Sequence, residues 1–403
     1  MQIEDIKILI DASDRLLNTT SMEFRRYLCA QIDWNDKLIC IKGPRGVGKT
    51  TLILQHIKEA FGLGSNKALY LALDHIWFTS HSAIELVEFL NAHGYTHLFF
   101  DEIHHLENWQ TFIKTVADFY PDLHIVYSGS SILKLSGAQG DLSRRQAVYS
   151  LNGLSLREYM HFECGIELPL LKLEDILKNH RALAGEIVSQ VKILPHFSEY
   201  LKRGYYPFYK AIHCQFNERL VETVNKVLEV DLPIVEEVTL PTIRKAKKML
   251  MIISESCPQQ FNLSDLCREL ETDRTLGMRL LTALERAKLV QFLTAAKPKL
   301  SSMSRPEKLY LGDTNLMYAL SSRIETGNVR ETFFMNQLAA AGHTITYVGK
   351  GDFLIDGQHL FEAGGKGKTY KQIAGIKDSY LVLDDVELGI GNKIPLYLFG
   401  LLY

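Results

Sequence analysis

Gly43-Pro44-Arg45-Gly46-Val47-Gly48-Lys49-Thr50 satisfies the pattern GxxxxGK[ST], and its surroundings are the ones the pattern needs. The apolar run Lys37–Lys42 before it predicts a buried strand, and Thr50–Ala60 after it predicts a helix. Glycines let such a loop wrap closely, so that backbone N–H groups and the helix N-terminus face phosphate oxygens. The chemistry implied is the binding of a nucleoside triphosphate. Lys49 would lie against the β- and γ-phosphates and the Thr50 hydroxyl would ligate Mg²⁺, with Gly43, Pro44, Arg45, Gly46, Val47, Gly48 and Thr51 completing the cradle.

A loop of this kind needs a second acid for the hydrated metal, and Leu98-Phe99-Phe100-Asp101-Glu102 supplies one at the end of an apolar strand. Asp101 is the expected metal acid. Glu102, at the strand tip, is the expected general base that orients and deprotonates the attacking water. The following apolar run, His124–Tyr127, ends in Ser128-Gly129-Ser130-Ser131, so a hydroxyl such as that of Ser130 is expected beside the same site. Arg144 and Arg145 are candidates to stabilise phosphoryl charge, in cis or from a neighbouring subunit, and serve equally well as a solvated pair. His104-His105 does not follow HExxH and finds no third ligand in the sequence, so no metal site is assigned to it.

Positioning these groups requires strands that alternate with helices. Helices are expected at Thr50–Ala60, Ser82–Ala92 and Trp109–Phe119, and strands at Ala68–Leu73, Leu98–Phe100 and His124–Tyr127, which implies right-handed βαβ units and a parallel sheet. An amphipathic helix is expected earlier, at Met22–Gln31. The 403 residues correspond to two or three domains, and 46% hydrophobic with 23% charged residues excludes disordered and fibrous classes. A net charge of −2 gives no chain-wide attraction to nucleic acid or acidic membranes. Six scattered cysteines with no CxxC pair argue against a zinc ribbon or a disulfide framework. The N-terminus lacks a basic signal region and no apolar run reaches membrane-spanning length, so a soluble, cytoplasmic protein is expected.

The run Asp101–Trp109, then Tyr120–Ser131, then Leu156–Tyr159, resembles prokaryotic AAA+ superfamily ATPases of the archaeal-type group, whose C-terminal domain is of uncertain function. The resemblance implies a strand inserted between the phosphate-loop and metal-acid strands, followed by a helical part and a winged helix. With the absence of an Asn/Thr-Lys-x-Asp guanine motif, it also implies ATP and Mg²⁺ as cofactors. Such proteins often carry Gly-Arg where this chain has Arg144-Arg145, so which arginine acts stays open.

The expected fold class is α/β, a P-loop NTPase parallel sheet of AAA+ type in 1–160 with an N-terminal helix, then a helical region in 161–240. A winged helix-turn-helix in 241–315 and a small nuclease-like α+β domain in 316–403 complete it. Within 161–240, helices are expected at Leu170–Asn179, Leu183–Leu194 and Phe216–Glu229. Residues 241–310 hold thirteen basic and seven acidic residues, an excess of six positive charges, with Arg274 and Arg279 on the expected recognition helix and Lys297 and Lys299 in the expected wing. Double-stranded DNA is the partner this suggests, and a protein-interaction module is the alternative. Near the C-terminus, Asp352, Glu362 and Lys366 resemble the PD-(D/E)xK nuclease core, but Gly364 stands where its lysine belongs, so a degenerate, non-cleaving form is favoured.

Three readings follow. The leading one is an ATP-hydrolysing switch, associated with DNA and acting with a homo-oligomeric or other protein partner. The others are a DNA-binding regulator with negligible turnover and a metal-dependent nuclease.

Overall fold

Leu38–Ile41, Leu98–Phe100 and Ile125–Tyr127 are buried on both sides, as strands of a covered parallel sheet must be. A computed structural model describes residues 2–132, 144–212, 214–236, 238–256, 262–296 and 306–403. It divides the chain into two compact units, Met1–Asn152 with Ile234–Glu236, and Gly153–Pro233 with Glu237–Tyr403.

In the first unit, β1 (Leu38–Gly43), β2 (Ala68–Ala72), β3 (His97–Asp101), β4 (His124–Ser130) and β5 (Ala147–Ser150) form one parallel sheet in the order β2-β3-β4-β1-β5. β4 is therefore the strand inserted between the phosphate-loop strand and the Asp101 strand. Ligand crevices of open α/β sheets form outside the carboxyl ends of the strands, and Gly43, Asp101 and Ser130 all stand at those ends. Helices α1 (Ile3–Thr19), α2 (Lys49–Ala60), α3 (Ala83–Ala92) and α4 (Trp109–Phe119) cover the sheet.

The expected helix at Met22–Gln31 is corrected. The N-terminal helix is α1, whose stripe of Ile6, Leu9, Ser13 and Leu17 is buried, while residues 22–31 contain only the 3₁₀ turn Tyr27–Ala30. α1 packs against β2 and α2, and its Ser13 hydroxyl accepts from the Tyr70 N–H at 3.4 Å.

Beyond Asn152 the helices are α5 (Leu156–Cys164), α6 (Leu173–Gln190), α7 (Ile193–Glu199), α8 (Phe216–Lys226), a single-turn α9 (Leu232–Val235), α10 (Leu240–Ser256), α11 (Leu263–Glu269), α12 (Arg274–Arg286), α13 (Thr314–Leu320) and α14 (Thr326–Ala340). The two helices expected on either side of Asn179 are one helix, α6, bent where Asn179 leaves helical geometry at φ −129°. α10 to α12 precede an antiparallel pair, β6 (Val290–Ala295) and β7 (Lys308–Leu311). This pair joins β8 (Ile345–Tyr347), β9 (Phe353–Ile355), β10 (His359–Gly364), β11 (Ser379–Leu383) and β12 (Lys393–Pro395) in a seven-stranded mixed sheet, ordered β12-β11-β10-β9-β8-β6-β7. Among the described residues, no helix is long and apolar enough to cross a membrane.

Candidate functional site

β1 delivers the chain into the loop at Gly43, where no other residue fits: a Cβ there would stand 2.2 Å from the Leu151 carbonyl oxygen. Gly46 and Gly48 adopt φ of 85° and 96°, values that favour glycine, and Gly48 caps α2 in the left-handed region. The free N–H groups of the first turn of α2 thus stand at the end of the loop. Lys49 is buried and donates to the carbonyls of Gly43 and Pro44, each at 3.1 Å. Val47 is wholly buried and anchors the loop in the core, while Thr51 is exposed.

Strand alternation places Tyr70, Asp101 and Ser128 on one face of the sheet, beneath α2. Asp101 is 3% exposed and accepts from four donors. Its Oδ2 takes the Thr50 hydroxyl at 2.6 Å and the Tyr70 hydroxyl at 2.7 Å. Its Oδ1 takes the Ser128 hydroxyl and, at 3.1 Å, the Glu102 N–H. Burial, with the Asp101 carboxylate beside it, pushes the Tyr70 phenol well above its ordinary pKa, so it stays a donor.

Glu102 has a left-handed backbone at φ 52°. Its carboxylate lies 3.4 Å from His104 Nδ1 and 3.9 Å from Arg45 of the loop. Ser130 is buried and pairs in register with Gly43, but it is Ser128, two residues earlier on the same face, that reaches Asp101. Tyr70 carried no motif signal, because a tyrosine in an apolar strand reads as core. Ser128 was one of four hydroxyl and glycine positions with nothing local to separate them.

Arg144 and Arg145 do not join the site within one chain. β5 runs parallel to β1 with Ala147 beside Ile39, so Arg145 sits at the edge where the strands begin, about 20 Å of strand from Gly43 at 3.3 Å per residue. Arg145 there pairs with Asp118 at the end of α4, and Arg144 is exposed.

Of the basic residues counted in 241–310, several are engaged internally. Lys245 and Lys248 donate to the Glu271 and Glu269 carbonyls at 2.5 and 2.6 Å, closing the end of α11, while Lys247 pairs with Glu229 and Arg268 with Asp265. Arg274 and Arg279 are exposed on α12. Lys297, Lys299 and Arg305 lie outside the described residues.

In the second unit Glu331, Asp352 and Glu362 approach one another, and lysines stand among them. Lys308 is 3.8 Å from Glu331 and 3.7 Å from Asp352, and Lys368 is 2.5 Å from Glu362. Lys366 is exposed, so the lysine that reaches Glu362 is four residues further along the chain than Gly364. Burial, reinforced by the Asp352 charge, pushes Glu331 up to about 7, and burial also raises Glu362. Among the described residues no group of three or more His, Cys, Asp or Glu side chains is placed to hold a metal.

Residues 35–160 match the profile of the AAA domain, and residues 194–326 match a domain of unknown function. An uncharacterized protein of Methanocaldococcus jannaschii is 26% identical over 274 residues, 64% of this chain and 57% of that protein. The chain thus spans little more than half the length of that relative. A second uncharacterized protein of the same organism is 24% identical over 386 residues, 88% of this chain and 82% of its own length. AMPPCP-bound DnaA from Aquifex aeolicus is similar at 16% identity and a TM-score of 0.25, over 72% of this chain and 90% of that one. Gly43–Thr50 and Asp101 both fall inside the segment, residues 35–160, that is similar to the AAA domain.

Proposed function

We propose that this protein binds ATP with Mg²⁺ and hydrolyses it, and that the nucleotide state acts as a switch. The observation that carries the reading is the 2.6 Å contact between the Thr50 hydroxyl and Asp101, beside a loop whose lysine is turned inward. Two oxygen donors brought together at the loop suit Mg²⁺, a hard cation that keeps several waters and takes one or two protein oxygens. Thr50 and Asp101 would hold it, and bound there it would neutralise charge on the β- and γ-phosphates. Lys49 and the first-turn N–H groups of α2 orient the triphosphate. Glu102, on the strand tip beside Asp101, accepts the proton of the attacking water.

A role for Arg144 or Arg145 is read as one served from a neighbouring copy of the chain, since their own loop lies at the opposite edge of the sheet. The helices α10 to α12 followed by β6 and β7 support a winged helix, and the remainder of the second unit is read as nuclease-like. Lys308 and Lys368 neutralise its acids internally, which supports a fold that does not cleave.

Exposed Arg274 and Arg279 favour duplex DNA as the partner of the winged helix. The test is phosphate release from Mg-ATP, measured alone, with duplex DNA and in Arg279→Ala. Wild-type turnover rises with DNA at low salt, and the substitution removes the rise while leaving the DNA-free rate in place. Turnover indifferent to DNA at every salt concentration would remove DNA from the account and leave the ATPase.

A further inference from the structure

Arg26 is a guanidinium with 5% exposure, a depth at which a charge needs fixed partners. Its Nη1 donates to the Val47 carbonyl, inside the phosphate loop, and its Nη2 donates to the Asn152 carbonyl at 2.8 Å. Val47 C=O and Gly48 N–H belong to one planar trans peptide, in which the two groups point in opposite directions. Holding the carbonyl therefore fixes where the Gly48 N–H aims, at the residue whose φ of 96° leads into α2.

Asn152 is the last residue before the second unit begins at Gly153. A second set of contacts, made without Arg26, ties the same stretch to the start of the loop. The Leu151 N–H donates to the Lys42 carbonyl at 2.8 Å, and the Leu151 oxygen leaves no room for a Cβ on Gly43. Just beyond, a Cβ on Gly153 would stand 2.4 Å from the Tyr205 ring, and the Leu154 N–H donates to the Tyr205 carbonyl at 2.7 Å. Leu151 and Asn152 are thus held to the loop by two separate contacts within the first unit, and close-packed groups transmit a displacement rather than absorb it.

We propose that Arg26 is a positioning residue that sets the phosphate loop through the Val47 carbonyl and carries the loop's occupancy to the junction at Asn152. This rests on the nucleotide-binding reading. Phosphate drawing on the Gly48 N–H turns the Val47 peptide, and the guanidinium passes that movement to the Asn152 carbonyl. The planar fork of arginine holds both carbonyls at once, which a lysine ammonium on a flexible stem does not reproduce.

Amide hydrogen exchange on the full chain, with and without a saturating non-hydrolysable ATP analogue and Mg²⁺, tests this. In the wild type the analogue slows exchange by tenfold or more both at 46–50 and at the Leu151 and Leu154 amides. Arg26→Gln keeps the slowing at 46–50, loses it at 151–154 and weakens the analogue about tenfold. Arg26→Lys recovers part of the affinity without the slowing at 151–154. Wild-type slowing confined to 46–50, or slowing at 151–154 that survives in Arg26→Gln, overturns the relay. No slowing at either stretch in the wild type overturns the nucleotide reading itself. Wild-type slowing confined to 46–50 overturns the relay even if a variant folds poorly.

Discussion

Replacing Lys49 with alanine lowers the affinity for ATP about 100-fold and removes measurable turnover, while the ligand-free protein stays folded. The two effects separate because of what the ammonium touches in each state. Without nucleotide, Lys49 gives two hydrogen bonds of 3.1 Å to carbonyls of its own loop. One of these, on Gly43, also accepts the Ser131 N–H at 3.1 Å and remains satisfied after the substitution. The cost to the empty fold is about 1 kcal/mol, the net worth of an ordinary hydrogen bond. With a triphosphate bound, the same ammonium faces oxygens that carry full charge, and losing charge-assisted bonds worth about 3 kcal/mol in total gives the 100-fold. Thermal melting with and without Mg-ATP reads both numbers: the melting point without ligand falls by a few degrees, and the rise caused by ligand disappears. A ligand-induced rise equal to that of the wild type would contradict the placement of phosphate at Lys49.

Asp101→Ala produces the second large effect, on stability and on Mg²⁺ dependence together. The carboxylate takes hydroxyls from Thr50, Tyr70 and Ser128, and both Tyr70 and Ser128 are buried. Alanine strands those hydroxyls without an acceptor, at about 1–3 kcal/mol for each buried group left unsatisfied. A loss of about 3 kcal/mol, read from the urea midpoint, is expected. Asp101→Asn keeps an acceptor oxygen and a similar shape, so it destabilises less, yet it removes the charge a divalent cation needs and loses turnover to the same extent. Turnover by Asp101→Asn within about threefold of wild type, at equal Mg²⁺, would sink the assignment of Asp101 to the metal.

The parts of the site legible in the sequence were those whose chemistry is local. The phosphate loop is one uninterrupted stretch, and its glycines stand where φ of 85° and 96° requires them. The parallel sheet was legible because doubly buried strands are apolar without interruption. Tyr70 and Ser128 meet Asp101 only through strand register, which no single segment encodes. Arg26 was hidden inside a stretch that reads as an amphipathic helix, because its partners lie 21 and 126 residues away. Glu331 was hidden in α14, a helix buried over most of its surface from Val329 to Leu338, where periodicity carries no signal. Arg144 and Arg145 stood as candidates in cis, from a neighbouring subunit or as a solvated pair, and only the register of β5 against β1 sets them at the far edge of their own sheet.

The measurement that tests the central claim most directly is phosphate release from Mg-ATP by wild type and by Glu102→Gln, with bound nucleotide measured in the same samples. Glutamine keeps the length of the side chain that lies near His104 and Arg45, but it cannot accept the water's proton. The account predicts that Glu102→Gln retains ATP at wild-type affinity and releases phosphate at least about 100-fold more slowly, within the range set by loss of a general base. Turnover by Glu102→Gln equal to that of the wild type would contradict it.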